Sequence, residues 1–201
     1  RTRRDGLIAI NLRDGDELVN VRRVREGEKV ILVSTDGKAI MFPESDVRPM
    51  GRDTSGVRGI TLKGDARMLG MEITNGNGDL FVITEKGYGK RTPVAEYPEH
   101  KRGGQGVFTI AMTDAKGQLA ACRVVEPHQE LMIVSMDGVV IRVRVEDISK
   151  LGRSTQGVKV MDVDENDSVC ALARMEVSDE EEKDEPEPGE GEVASEESEE
   201  E

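Results

Sequence analysis

The chain has 201 residues, of which 36% are apolar and 2% aromatic, and its 28 basic and 41 acidic residues give a formal net charge of -13. A core of Val, Ile, Leu and Met favours short strands in thin sheets. No apolar run approaches the roughly 18 residues of a membrane span, and the two cysteines form neither a CxxC pair nor a disulfide framework, so that we expect a cytoplasmic protein without a membrane partner.

The negative charge comes almost entirely from the end of the chain. Residues 178–201 hold 14 of the 41 acids and one of the 28 bases, so the other 177 residues carry 27 charges of each sign. A segment of Glu, Ser, Gly and Pro cannot offset its ordering entropy through apolar burial. We therefore predict a neutral folded body, followed by a disordered acidic tail over 177–201.

The first 24 residues are interpreted as the end of one repeat. Apolar residues alternate over 7–12, and a strand is predicted over 17–24. The chain opens without Met in the second half of this repeat, so we interpret it as the C-terminal fragment of a longer protein.

Three units with one internal order follow. Each has an apolar strand, a tight hairpin at a glycine, a return strand, a polar turn and a further short strand, the last predicted over 57–62 in the first unit. The hairpin glycines are Gly37, Gly87 and Gly138, which lie 50 and 51 residues apart. A period near 50 is typical of propeller-like blades with about four strands each. The predicted domain, residues 1–176, comprises the end of one blade at 1–24 and blades at about 25–74, 75–125 and 126–176.

The return strand of the third unit alternates with period two. This places Ile141, Val143 and Val145 on the sheet interior and Arg142 and Arg144 on the outer face. Three and a half units are too few to close a ring, since propellers contain roughly 4 to 8 blades.

No catalytic or metal-binding constellation is visible. His100 and His128 are the only histidines, and neither has an acid and a nucleophile at a recognisable spacing. The glycines at 103–106 precede a β-run, whereas a phosphate-binding loop precedes a helix. Cys122 and Cys170 fall in apolar strands, where a reduced core role is expected. We predict no catalytic residue and no metal site.

Basic residues recur at fixed places in the units. An arginine stands four residues before each Gly-Val pair, and the return strands carry further bases at matching positions. Equivalent positions in a ring of blades lie along one rim, where cations can neutralise DNA phosphates without reading bases. The alternative is a solvated sheet face whose bases merely offset the acids. The predicted DNA-binding residues are Arg52, Lys90, Arg91, Lys101, Arg102, Arg142, Arg144 and Arg153.

Several motifs resemble a known family. Gly-Tyr-Gly-Lys-Arg-Thr at 87–92, Val-Ala-Glu-Tyr-Pro at 94–98, and the glycine turns at 51–60 and 152–158 resemble the later blades of the C-terminal domain of DNA gyrase A. The resemblance covers about residues 1–176, and the acidic tail is also typical of that protein. Residues 100–106 only partly match the family's signature box, which we expect upstream.

This resemblance implies an all-β fold, a partial β-pinwheel of four-stranded blades. It implies that the domain binds duplex DNA without sequence specificity and wraps it around a basic rim. The complete enzyme would be a type II topoisomerase that uses ATP and Mg²⁺ to introduce negative supercoils, assembled with the gyrase B protein as an A2B2 heterotetramer through the upstream part of the chain. Its catalytic residues would also lie upstream.

Two alternatives remain open on the sequence. The corresponding C-terminal domain of topoisomerase IV shares the fold but does not wrap DNA strongly. A protein-interaction propeller would bind partners through loop apexes, without regard to salt. The acidic tail would either compete with DNA for the rim or act as a solubilising segment.

Overall fold

The computed structural model describes residues 6–176, and this part of the chain is built from β-strands and short 3-10 helices. The strands are β1 (Lys29–Ser34), β2 (Lys38–Pro43), β3 (Met68–Thr74), β4 (Asp79–Thr84), β5 (Tyr88–Pro93), β6 (Val107–Phe108), β7 (Leu119–Val125), β8 (Glu130–Ser135), β9 (Val140–Arg144), β10 (Val158–Lys159) and β11 (Val169–Met175). The 3-10 helices are Glu44–Asp46, Val94–Glu96, Asp114–Lys116 and Val145–Asp147.

None of the helices in this described part has the length and apolar composition needed to cross a membrane. The prediction of a disordered tail over 177–201 lies outside the described residues.

The structure confirms the repeat. The first strand of each hairpin begins at Lys29, Asp79 or Glu130, which are 50 and 51 residues apart, and each hairpin carries a third, antiparallel strand on its other side. We call this third strand, β3, β7 or β11, the inner strand of its sheet. The hairpin glycines have positive φ, for example +82° at Gly37, which a residue with a side chain rarely adopts.

The outer strand of each four-stranded sheet comes from the next unit along the chain. The strand orders are β3-β1-β2-β6, β10-β5-β4-β7 and β11-β8-β9. Strand β6 follows the second hairpin in the chain but pairs with β2 of the first, and β10 likewise pairs with β5. The sheets are therefore offset from the sequence periods, and within residues 6–176 β9 has no strand on its outer side.

Two predicted strands do not form. Residues 17–24 and 57–62 lack strand pairing, although they occupy the repeat positions of the inner and outer strands. Inner strand β7 pairs with a hairpin about 40 residues earlier, and outer strand β6 with a hairpin about 70 residues earlier. No hairpin within residues 6–176 lies at the corresponding distance before either segment. Leu18 and Val21 are exposed, whereas Ile60 packs against the cluster that contains Leu32 and Phe42.

The core lies between successive sheets. One face of the first sheet packs on the second through residues such as Ile31, Met41 and Leu80, and Phe81 belongs to the equivalent cluster between the second and third sheets. Both cysteines were expected in the core, but Cys170 is exposed. Cys122 packs against the first cluster, where burial raises the pKa of its thiol to about 12.

Candidate nucleic-acid interface

The turn that carries Arg102 lies along the return strand of the preceding hairpin. The backbone N–H of His100 donates to the carbonyl of Met41 at 2.8 Å, which fixes the turn on β2. The Arg102 guanidinium donates to two carbonyl oxygens, from Nε to Asp46 at 2.9 Å and from Nη1 to Arg58 at 3.1 Å. These bonds orient the guanidinium without neutralising its charge, because neutral carbonyls accept them.

The other predicted turn cations have different surroundings. The Arg153 guanidinium lies 6.0 Å from the centroid of the Tyr97 ring, a cation–π distance, while Arg52 and Lys101 are exposed. No side-chain nitrogen of Arg52, Lys101, Arg102 or Arg153 lies within 4.0 Å of a carboxylate oxygen among residues 6–176. The turns therefore present guanidinium and ammonium groups that form no ion pair within the described residues.

Lys90 is not a surface cation, which corrects the prediction. Its side chain is 0% exposed. The ammonium donates to the carbonyl oxygens of Gly152 at 2.5 Å and Arg153 at 2.9 Å, and to the hydroxyl of Thr155 at 2.9 Å. All three acceptors belong to the turn of the next unit. Lys90 therefore links two units, and a phosphate cannot reach it in this structure.

The burial of Lys90 has a signal in the sequence. Counted from the start of each hairpin, Lys90 occupies the position of Ile40 and Ile141, both of which face apolar neighbours. Burial lowers the pKa of Lys90 to about 8, with a smaller, opposing contribution from the charge of Glu96. The side chain thus replaces an apolar residue with a hydrogen-bonded ammonium.

Arg91 also faces the interior of the assembly of blades. Its Nη1 pairs with Asp79 at 2.9 Å, its Nε donates to the Ile148 carbonyl at 2.8 Å, and its Nη2 donates to the Glu146 carbonyl at 3.2 Å. Only 12% of the side chain is exposed. Arg91 was predicted to bind DNA, but the loop of the next unit covers it.

Arg142 occupies the same repeat position as Arg91 but remains on the surface. It pairs with Glu130, which corresponds to the partner of Arg91, and half of its side chain is exposed. Arg144 is exposed and lies 3.9 Å from Glu146. The outward orientation predicted for both arginines of β9 is confirmed.

Sequence reasoning missed cations on the outer strands. Lys38 on β2 lies opposite Phe108 on β6, with its ammonium 5.6 Å from the ring centroid. In the next sheet the lysine is on the outer strand and the aromatic residue on the return strand. Lys159 on β10 lies opposite Tyr88 on β5, with its ammonium 4.9 Å from the ring centroid. The ammonium of Lys116 lies 4.4 Å from the same centroid. This alternation is visible in the sequence only when the offset pairing of the outer strands is known.

The arrangement suits the binding of anions. Within residues 6–176 no group of three His, Cys, Asp or Glu side chains is placed to hold a metal ion. What recurs is a guanidinium or ammonium at the turns and at the outer edges of the sheets. Such groups suit the repeated phosphates of a nucleic-acid backbone.

Comparison with known proteins gives a consistent result. The family described as DNA gyrase C-terminal domain, beta-propeller, matches residues 1–25, 28–75, 78–126 and 129–173. The DNA gyrase A protein of Klebsiella oxytoca is 41% identical over 183 residues, which cover 90% of this chain and 21% of that protein. The chain thus spans about a fifth of the length of the curated relatives that it matches.

Two solved structures share the fold. A DNA gyrase A C-terminal domain superposes with a TM-score of 0.79 and 30% identity, over 85% of this chain and 58% of that one. The C-terminal domain of a DNA topoisomerase IV superposes with a TM-score of 0.80 and 25% identity, over 87% of this chain and 55% of that one.

Proposed function

Because the chain belongs to the family of DNA gyrase C-terminal domains, we propose that its turns and outer sheet edges bind duplex DNA through the phosphate backbone, without sequence specificity. The cations of the turns carry this proposal. Arg52, Arg102 and Arg153 occupy one repeat position, and together with Lys101 they form no ion pair within residues 6–176. The proposed interface also includes Arg142 and Arg144 of β9.

Binding must be distributed over several blades if the DNA is wrapped. Bending 20 to 30 base pairs through 40 to 90° costs on the order of 1 to 6 kcal/mol, which one exposed cation cannot offset. Several phosphate contacts release counterions together, and this gain grows with each contact. Repetition of the turn in successive units provides such contacts along a curved path.

The role in the whole protein follows from the same premise. We infer that the chain serves as the DNA-wrapping part of the gyrase A protein in a type II topoisomerase, which uses ATP and Mg²⁺ to introduce negative supercoils. The gyrase B protein would be its partner in an A2B2 assembly in the cytoplasm, through parts of the A protein outside residues 6–176. This segment would contribute DNA binding and no catalytic residue.

The salt dependence of DNA binding tests the assignment. We expect the triple variant Arg52→Gln, Lys101→Gln and Arg153→Gln to lose up to about 2.7 from the slope of log affinity against log salt, since each phosphate contact contributes about 0.9. The measurement is fluorescence anisotropy with a random-sequence duplex between about 50 and 200 mM salt.

A matched pair of variants separates surface from interior arginines. Arg142→Gln and Arg91→Gln change the same repeat position, but only Arg142 is exposed enough to reach a phosphate. We expect Arg142→Gln to reduce the slope by about 0.9 and Arg91→Gln to leave it unchanged. Folded triple variants with an unaltered slope would refute the proposed interface and favour a protein-interaction propeller.

A topology assay distinguishes gyrase from topoisomerase IV. The sequence relatives favour gyrase, whereas the two solved structures superpose equally well. If the domain wraps DNA, the intact A protein with the B protein and ATP should supercoil relaxed plasmid, and the triple variant should relax but not supercoil it. Supercoiling by the triple variant at the normal rate would contradict a wrapping role for these cations.

A further inference from the structure

A basic cavity of about 400 Å³ lies beside the inner strands, at the opposite edge of the sheets from β6 and β10. The first two inner strands, β3 and β7, are neighbours, and β7 is in turn next to β11. The residues that line the cavity are Arg22, Arg23, Glu72, Ile73, Arg123 and Arg174. It is separate from the turns proposed to bind DNA.

One buried carboxylate serves two of these arginines. Glu72 accepts from Nη2 of Arg22 at 3.0 Å and from Nη1 of Arg123 at 2.8 Å, both on the same oxygen, while its other oxygen accepts from the backbone N–H of Val124 at 3.3 Å. Arg174 is anchored on the carbonyl of Val124 at 3.0 Å. The guanidinium groups are therefore held in place around the opening.

The charges of the cavity do not balance. Four guanidinium groups face Glu72 alone, an excess of three positive charges, or of two when Glu176 is counted at 3.8 Å from Arg174. The Nε of Arg123 is buried and has no hydrogen-bond acceptor within residues 6–176. Converging like charges repel, so an additional anion among the guanidinium groups would lower this repulsion.

The fold does not require charge at this position. Arg22, Glu72, Arg123 and Ala173 occupy one repeat position on successive units, as the spacing of 50, 51 and 50 residues shows. The strand register agrees, since the three strand residues face Ile31, Phe81 and Met132, which are themselves equivalent. The third unit has alanine at this position, so the repeat itself does not require a charged side chain there.

We propose that this cavity is a binding site for an oxyanion, namely a carboxylate or a phosphate group. Guanidinium forks bind both groups in bidentate fashion, and a partly enclosed site strengthens these charge-assisted bonds. Arg22 and Arg123 are 30% and 26% exposed, so their free N–H groups can be reached from solvent. The cavity volume falls within the range of small-molecule sites.

Two sources can supply the oxyanion. One is a free phosphate, and the other is the acidic segment of this same chain, whose first acids are Asp179 and Glu180. Asp179 follows the cavity residue Arg174 by five residues, so the chain tethers it within about 18 Å of that residue's backbone. A tethered carboxylate also has a high effective concentration there.

The experiment titrates inorganic phosphate into the full chain at constant ionic strength and measures the urea midpoint of unfolding, since a ligand of the native state stabilises it. The variants are Arg123→Gln, Arg23→Gln, and a chain with Asp179→Asn, Glu180→Gln, Glu181→Gln and Glu182→Gln. Arg67→Gln, an exposed arginine outside the cavity, is the control. Because Arg23 is exposed, we expect Arg23→Gln to fold even if Arg123→Gln fails to fold.

Two results support the site and identify the source. If free phosphate is the ligand, the unmodified chain shows a saturable response that Arg123→Gln weakens about tenfold or more and Arg23→Gln several-fold, while Arg67→Gln leaves it unchanged. If the acidic segment fills the cavity, the response emerges only when the four acids are neutralised, and Arg23→Gln then weakens it again.

One result overturns the site. A phosphate response that is absent from both the unmodified chain and the chain with neutralised acids, or that Arg23→Gln, Arg123→Gln and Arg67→Gln affect equally, shows that the cavity binds no oxyanion. The titration contains no DNA, so its failure is distinct from a failure of the proposed DNA interface.

Discussion

The second and third sheets place the same ion pair in different surroundings. Arg91 pairs with Asp79 in the second sheet, and Arg142 pairs with Glu130 at the same repeat positions in the third. In the second sheet the loop of the next unit covers the arginine, and 12% of its side chain is exposed, against 50% for Arg142. In the described part of the chain, nothing comparable follows the third sheet.

The difference shows that the neighbouring unit decides whether a cation is structural or available. Lys90 and Arg91 anchor the loop and turn of the unit that follows them, so they stabilise the stacking of blades. The equivalent arginine on β9 keeps its ion pair with Glu130, but half of its side chain is exposed. Residues at equivalent repeat positions therefore occupy equivalent places in the fold, but they can have different functions.

The largest expected effect comes from removing the buried link between the second and third sheets. Lys90→Met keeps most of the side-chain volume but leaves the carbonyls of Gly152 and Arg153 without their donor. We expect the free energy of unfolding to fall by about 3 to 4 kcal/mol, since each unsatisfied buried group costs about 1 to 3 kcal/mol. Urea denaturation at neutral pH measures the change.

The exposed Lys101→Met is the matched control, and its effect should stay within about 0.5 kcal/mol. If both lysine variants lost the same free energy of unfolding, the buried contacts of Lys90 would contribute nothing to stability. Buried and exposed cations would then not differ in their structural role.

We expect a smaller loss of stability from a substitution at the glycine that precedes outer strand β6. Gly106 has φ of +71°, and a Cβ there would clash with the Ala39 carbonyl oxygen, whereas Gly56 has φ of +77° and only Ile10 nearby, at 3.8 Å. Both Ala variants incur strain from positive φ, of about 1 kcal/mol, but Gly106→Ala must also displace β6 from β2. We expect Gly106→Ala to cost about 2 to 3 kcal/mol in total, within the usual range for a strained or overpacked position.

The two glycine variants are compared by thermal and urea unfolding under identical conditions. A loss for Gly56→Ala as large as that for Gly106→Ala would mean that the exchange of β6 between units contributes little to stability.

The smallest effect is a pH dependence that only the covered lysine produces. The pKa of Lys90 is about 8 in the folded chain and about 10.4 when unfolded, so above pH 8 the native state releases its proton first. The free energy of unfolding therefore rises with pH in this window, by up to about 2 kcal/mol at about pH 9.5, and the gain is lost as pH falls through the folded pKa.

Relative to Lys90→Met, the unmodified chain should thus gain stability between about pH 7.5 and 9.5, as urea midpoints at each pH will show. A difference that stays constant or shrinks over that interval contradicts the assigned environment of the ammonium.

Local features of the fold could be predicted from the sequence. The hairpins at Gly37, Gly87 and Gly138 and the alternation over 141–145 depend on neighbouring residues, and the structure confirms them. The pairing of β6 with β2 could not be predicted, because superposed repeats identify an outer strand without telling which hairpin it joins. The missing strands at 17–24 and 57–62 have the same cause.

The same distinction, between features within one unit and features that span two, applies to the candidate site. The orientation of Arg142 and Arg144 followed from alternation within one strand. The burial of Lys90 was available from its alignment with Ile40 and Ile141, but the cover over Arg91 was not, because the loop that covers it belongs to another unit. Residues whose environment spans two units are the ones that sequence reasoning assigned wrongly.

The exchanged outer strand also bears on how such an array can lengthen or shorten in evolution. The second and third units each contribute one strand to the hairpin behind them, so a gene duplication of one full period preserves these pairings wherever the copied segment begins. Recombination therefore needs no particular breakpoint to add or remove a blade, and only a change that is not a whole period would leave a hairpin incomplete.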